Sequence, residues 1–264
     1  MIAAGIDIGS LTAKAVLLRD DHILSSYMMR VRPSVLLSAR EVMAAVIARA
    51  GIAPDMVSRC CATGYGRLDI PFADQNMSEI SCHGMGAFFS DSAIRTIIDI
   101  GGQDCKVISV DESGLIRDFV MNDKCAAGTG RSLEMLAGTL DVPLTELGPL
   151  TLKSRRPLPI TSKCSIFMEL EVLDAMYSGK KLKHIAAGLS DAVAKRVVAL
   201  ASGVRLRDPI CITGGVSKNK GVVRYLEKRL NRRFTTLSVD PQIAGALGAA
   251  VFAMRSINHS GEEP

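Results

Sequence analysis

The sequence predicts an α/β protein made of two similar halves. Short apolar runs of strand length alternate with longer amphipathic, helix-like segments along all 264 residues. The string "IDIGSLTAKAVLL" (6–18) returns as "IDIGGQDCKVISV" (98–110), displaced by 92 residues. Both copies carry I-D-I-G, a polar turn, a lysine and an apolar strand, which is the mark of a duplicated hairpin. A third glycine-rich turn, "ITGGVSKN" (212–219), comes about 110 residues after the second.

In chain order, the first copy gives a strand, a Gly-Ser-Thr turn and a second strand. A surface segment with an Asp-Asp turn comes next, "LRDDHILSSYMM". Helical spacing covers 38–51 and ends on Gly51. "VSRCCATGYG" reads as a buried strand running into a glycine-rich turn, and "EISCHGMGAFFS" as a helix. The second copy gives strand, turn, strand, Asp-containing turn, strand. After it come a helix beyond Cys125, the proline-rich loop "SRRPLPITSK", a helix beyond Cys164 and a long amphipathic helix over 183–204. The chain closes with a strand, a Gly-Gly turn and a helix over 208–230, then the small-residue helix "DPQIAGALGAAVFAM".

Composition sets limits. Hydrophobic residues are 48% and charged residues 22%, enough for a large core. With no tryptophan and 4% aromatics, a stacking surface for nucleic acid is not expected. The net charge of +5 reads as a scattered solvated surface. "MIAAGIDIGS" lacks the basic segment of a signal peptide. The longest apolar run, 244–254, is shorter than the ~20 residues that span a bilayer. The expectation is a soluble cytoplasmic protein, without membrane or nucleic-acid partners, whose seven cysteines are not a disulfide framework.

The turns suggest phosphate binding. Glycine lets backbone N–H groups approach phosphate oxygens, hydroxyls add donors, and carboxylates manage the metal. "DIGSLTAK" offers Asp7, Gly9, Ser10, Thr12 and Lys14; "DIGGQD" offers Asp99, Gly101, Gly102, Gln103 and Asp104. Neither a G-x-G-x-x-G opening a helix nor a GxxxxGK[ST] loop is present. With "ITGGVSKN", these segments resemble the two phosphate segments and the adenosine segment of the actin, Hsp70 and sugar kinase superfamily. The resemblance implies two ribonuclease-H-like domains with an ATP cleft between them: residues 1–92 plus about 243–264 as domain I, and 93–242 as domain II. It implies that Asp7 and Asp99 orient Mg²⁺ and water. Gly9, Ser10, Thr12, Lys14, Gly101, Gly102 and Gln103 would contact phosphates, with Asp104 beside them, while Gly214 and Gly215 pass close to the adenosine. Asp7, Asp99 and Gln103 are the catalytic candidates.

No sugar pocket is recognisable. Cys125, in "NDKCAAGTG", and Cys164, in "TSKCSIFMELEV", each precede a helical run. A helix N-terminus favours thiolate and suits a thiolate-ligated anionic cluster. Two thiolates fall short of the four an iron–sulfur cluster takes, and a twofold homodimer makes up the number. Zinc held by four cysteines at the same axis is the competing metal, and buried filler the plain alternative. Filler is the reading for Cys60, Cys61, Cys82, Cys105 and Cys211.

"NDKCAAGTGR", "TSKC-F-E-EV", "DIGGQD-KVI", "ATGYGR" and "SCH-MGA" together resemble the activators of 2-hydroxyacyl-CoA dehydratases, a group that includes the ATPase subunits of benzoyl-CoA reductases. The resemblance spans nearly the whole chain. It implies a homodimer with one 4Fe–4S cluster held by Cys125 and Cys164 of both subunits. It implies ATP hydrolysis to ADP with Mg²⁺, driving low-potential electron transfer from ferredoxin or flavodoxin to a dehydratase or reductase component. Met168 and Leu170, Leu11 and Cys105 depart from the family pattern, the first two in the helix beyond Cys164. A small-molecule kinase of the same fold, or a nucleotide-binding regulator, would need no iron.

Overall fold

The computed structural model describes residues 1–122, 128–161 and 164–260. Strands β1 (Ile2–Ile8), β2 (Thr12–Arg19) and β3 (His22–Arg30) form an antiparallel meander. Helix α1 (Val35–Ala50) leads to β4 (Arg59–Thr63), parallel to β1, and then to the two-residue β5 (Gln75–Asn76). Helix α2 (Glu79–Ser90) comes after it. The plan then repeats: β6 (Thr96–Ile100), β7 (Cys105–Val110) and β8 (Ile116–Asn122) form a second meander. Helices α3 (Gly130–Thr139), α4 (Leu144–Leu152), α5 (Ser165–Tyr177) and α6 (Leu182–Ala201) intervene before β9 (Ile210–Thr213). Helix α7 (Lys220–Leu230), the short β10 (Phe234–Thr235) and α8 (Ala244–Ser260) complete the chain.

The sheets run β3-β2-β1-β4-β5 and β8-β7-β6-β9-β10, the same order twice. Each is an antiparallel hairpin pair extended on the other side by parallel strands, so the duplication legible in the I-D-I-G strings extends to the whole topology. The segment 22–30, read from sequence only as surface, is a full edge strand in register with β2. Most of its residues are only half-buried, which hides a strand from a hydrophobic-run criterion.

Every residue of β1 is buried, as expected for a central strand covered on both faces. Ile2, Ala4, Ile6 and Ile8 pack with Ala39, Val42 and Val46 of α1. Ala3, on the other face, packs with Ala246, Ala249 and Ala250 of α8. Gly5 lies on that second face, and a methyl group there would stand 2.0 Å from the Ala246 carbonyl oxygen. The small-residue composition of α8 and Gly5 thus share one cause, a close helix-to-strand approach. Helix α1 starts earlier than its apolar spacing suggests, because Ser34 accepts from the Leu37 N–H and caps it.

In the second sheet, Ile98, Ile100 and Val107 pack under α3, α5, α6 and α7. Ile97, Ile108, Val110 and Cys211 pack on the opposite face with Ala87 of α2. Helix α2 also packs closely on α8. It therefore lies between the two sheets and brings residues 79–90 to the seam.

Candidate functional site

The site grows from equivalent positions in the two meanders. Antiparallel pairing sets Asp7 opposite Lys14 and Asp99 opposite Lys106. Parallel pairing sets Thr63 beside Asp7 and Thr213 beside Asp99. Each threonine is followed by a glycine in the left-handed region, Gly64 at φ 85° and Gly214 at φ 80°. A side chain at Gly214 would meet the Ile100 carbonyl oxygen at 2.3 Å and Asp99 Oδ1 at 2.8 Å. Glycine is required there both for φ and for space.

Both aspartates are held by lysine. Lys14 Nζ donates to Asp7 Oδ2 over 3.0 Å. Lys106 Nζ donates to Asp99 Oδ2 over 3.2 Å and to Asp104 Oδ2 over 2.9 Å, and lies 3.6 Å from Glu79 Oε1. Lys106 is 1% exposed. Burial alone would lower its pKa, but the three carboxylates outweigh burial and raise it. Burial likewise works to raise Asp99, and His83, Lys106 and the Thr213 hydroxyl overcome it, bringing the carboxyl down to about 2. Asp99 and Lys106 are thus a buried, fully ionised pair. Burial pushes Glu79 above the usual carboxylate range despite Lys106.

A cavity of about 630 Å³ opens between the sheets, within the size range of small-molecule sites. Asp7, Gly9, Ser10, Thr12, Lys14, Asp99, Gly101, Gly102, Gln103, Asp104, Gly214 and Gly215 all line it. The turns meet across its floor: a methyl group on Gly102 would stand 2.7 Å from both Ser10 Oγ and Leu11 Cγ. At its mouth Arg30, from β3, pairs with Glu134 of α3. Sequence reasoning missed Lys106, Glu79 and His83 as site residues, although the lysine was visible as the residue shared by the two repeats. The other two sit on α2, whose place at the seam is a matter of packing.

The second glycine turn is also bonded to the helix beyond it. The Gly130 and Arg131 N–H groups donate to the Gly101 and Gly102 carbonyl oxygens over 2.9 and 2.8 Å, and the Thr129 hydroxyl donates to the Gly102 oxygen over 2.9 Å. The N-terminus of α3 is fastened to the glycine turn.

Of the two cysteines singled out in the sequence, Cys125 lies outside the described residues. Cys164 is exposed and is the N-cap of α5. Cys60, Cys61, Cys82, Cys105 and Cys211 are buried. Burial pushes the Cys60 and Cys61 thiols up to about 12 and raises the other three as well. Among the described residues, no three His, Cys, Asp or Glu side chains converge on one metal position. A divalent cation here would rest mainly on phosphates and water, as Mg²⁺ commonly does. The charge suits it: Asp7, Asp99, Asp104 and Glu79 face the ammonium groups of Lys14 and Lys106.

Two such sheets facing across a cleft, with paired glycine turns and aspartates, define a two-lobed α/β fold that sugar kinases also adopt. A ROK family glucokinase from Streptomyces griseus, solved with glucose and AMPPNP, shares this fold at TM-score 0.55 and 15% identity, over 97% of this chain and all of that one. The chain belongs to the BadF/BadG/BcrA/BcrD ATPase family, whose model matches residues 4–253. It is 41% identical over 254 residues to the activator of lactoyl-CoA dehydratase from Anaerotignum propionicum, covering 96% of this chain and 97% of the relative. The activator of the 2-hydroxyisocaproyl-CoA dehydratase from Clostridium difficile, solved with bound ADPNP, superposes at TM-score 0.95 with 37% identity, over all of this chain and 98% of that one. The protein is therefore an ATP-hydrolysing enzyme of this family. No helix among its described residues is long and apolar enough to cross a membrane.

Proposed function

We propose that this ATPase is a reductive activator, coupling ATP hydrolysis to delivery of a low-potential electron to a partner enzyme, a 2-hydroxyacyl-CoA dehydratase. The observation that carries the coupling is the set of hydrogen bonds from Thr129, Gly130 and Arg131 to the carbonyls of Gly101 and Gly102. Movement of the second phosphate turn is passed to α3, which comes directly after the Cys125 segment. The partner class is supported by similarity to proteins named as dehydratase activators; a reductase of the benzoyl-CoA type is the alternative acceptor.

In this reading residues 1–92 with about 243–264 form one domain and 93–242 the other. Gly9, Ser10, Thr12 and Lys14 on one side, and Gly101, Gly102, Gln103 and Asp104 on the other, bind and orient the phosphates. Asp7 and Asp99, with Gln103, hold Mg²⁺ through its water shell and orient the attacking water. Gly214 and Gly215 let the adenosine lie close to the backbone. Phosphate-dependent closure then has two states to choose between, as coupling requires. Cys125 and Cys164 of two subunits would hold one 4Fe–4S cluster, and the exposed Cys164 thiol at a helix N-terminus suits a thiolate ligand. When bound, such a cluster supplies one-electron chemistry. Ferredoxin or flavodoxin is the donor, and the cytoplasm the compartment.

The test is anaerobic. Purified dimer should carry about four iron and, with reduced flavodoxin and MgATP, should switch on a 2-hydroxyacyl-CoA dehydratase component. Robust ATP hydrolysis by iron-free dimer, with no activation after cluster reconstitution, would instead point to a kinase or a regulator.

A further inference from the structure

The duplicated half-sites differ in one respect. Thr63 donates its hydroxyl to the Met77 carbonyl within its own half. Its counterpart Thr213 donates to Asp99 Oδ1 over 2.9 Å and also touches His83 Nδ1, at 3.2 Å. His83 Nδ1 lies 3.3 Å from Asp99 Oδ1 as well. The single Thr213 proton is committed to the aspartate, so the proton on the Thr213–His83 contact comes from Nδ1. The far side of the same ring faces the other half. A methyl group on Gly245 would stand 3.0 Å from His83 Nε2 and 2.9 Å from Asp7 Oδ2, so ring and carboxylate flank one backbone position. His83 is 7% exposed, and α2 carries it between the sheets.

We infer that His83 is a positioning residue for ATP hydrolysis, and that it makes the two aspartates unequal. Asp99 is over-determined: Lys106, Thr213 and His83 fix both its oxygens, so it is a static anion in the cleft wall. Asp7 has Lys14 on Oδ2 and His83 near it, and is the carboxylate left to adjust as the phosphates arrive. His83 also joins the halves at their seam, holding Asp99 of the second sheet at a set relation to Asp7 of the first. Nothing in the two repeats announces this role, because His83 has no duplicate. The inference rests on the reading of the cleft as a phosphate site.

The experiment measures MgATP hydrolysis by full-length protein carrying His83→Ala, His83→Asn or His83→Gln. An asparagine amide can replace Nδ1 towards Thr213 and Asp99; a glutamine amide reaches towards the Nε2 side. His83→Ala should lower kcat by about tenfold or more, the scale of lost outer-shell support, while KM for MgATP stays within about threefold. His83→Asn should recover most of kcat and His83→Gln should not. Calorimetric ADP affinity and thermal midpoint, taken on each variant, should be nearly unchanged between Asn and Gln. Equal impairment of the Asn and Gln variants, or full kcat in His83→Ala, would overturn the role. Should His83→Ala fail to fold, the Asn and Gln comparison still decides. Wild-type protein that binds no ADP would remove the nucleotide reading, and this role with it.

Discussion

The Thr129 hydroxyl donates to the Gly102 carbonyl oxygen over 2.9 Å, joining the start of α3 to the second glycine turn across 27 positions of sequence. Thr129 is buried, and the bond is one of three that hold the helix to this turn. If ATP and the proposed redox centre sense each other, these bonds are where the turn can act on α3. In Thr129→Val the nucleotide-dependent shift of the cluster midpoint potential should shrink by about half or more. The wild-type shift should be roughly 40–130 mV, equivalent to a typical allosteric coupling of about 1–3 kcal/mol. Potentiometric titration in ADP and ADP–aluminium fluoride provides the measurement, and an undiminished shift in the variant would move the coupling elsewhere.

Hydrolysis should depend on both aspartates. Asp7→Asn or Asp99→Asn should reduce turnover by some tens-fold or more, since a positioned metal and its charge contribute several kcal/mol of transition-state stabilisation. Steady-state phosphate release with excess Mg²⁺ reads this directly; normal rates in both variants would remove them from the phosphate site.

The Asp99–Lys106 pair should also show in stability. Lys106→Met leaves a buried carboxylate short of its cation and should cost about 3–5 kcal/mol, seen as a lower urea midpoint. Asp99 has a folded pKa below its unfolded value, so its contribution is present above about pH 4. It is lost as pH falls towards about 2, and it amounts to about 2 kcal/mol. Asp99→Asn should flatten that acid limb of the stability curve, whereas an unchanged limb would mean that the pair is not ionised.

Cysteine chemistry should divide by burial. In metal-free protein at pH 8, iodoacetamide should modify Cys164, which is exposed, and leave Cys60, Cys61, Cys82, Cys105 and Cys211 intact. Cys164→Ala should lose iron, and Cys60→Ala and Cys211→Ala should keep it. Peptide mass spectrometry and iron analysis check both halves, and full iron in Cys164→Ala would exclude it as a ligand.

A methyl group at Gly214 has no room, and its φ of 80° is strained for any other residue. Gly214→Ala should lower ADP affinity at least about tenfold if the proposed adenosine site is right, because the backbone of the cleft wall must move to admit the methyl group. Isothermal calorimetry measures it; affinity equal to wild type would place the base elsewhere.

Much of this protein was legible in its sequence because the informative signals are local. The I-D-I-G repeat, with its lysine seven residues beyond each aspartate, carried the duplicated hairpins and the register that sets Asp7 opposite Lys14 and Asp99 opposite Lys106. The ten residues proposed from the two repeated turns for phosphates and metal, and the two glycines proposed for the adenosine side, line one cavity. Strand β3 escaped notice because an edge strand alternates weakly.

What the tertiary structure decided are the contacts that spacing cannot carry. His83 meets Thr213 across 130 positions, and α2 reaches the seam because one of its faces packs on α8 and the other on the second sheet. Lys106 became the hub of three carboxylates only when Glu79 was folded over it. Local periodicity records which face of an element is apolar. It does not record which distant element will cover that face, so the sequence determined two equivalent glycine turns, and packing at the seam made them unequal.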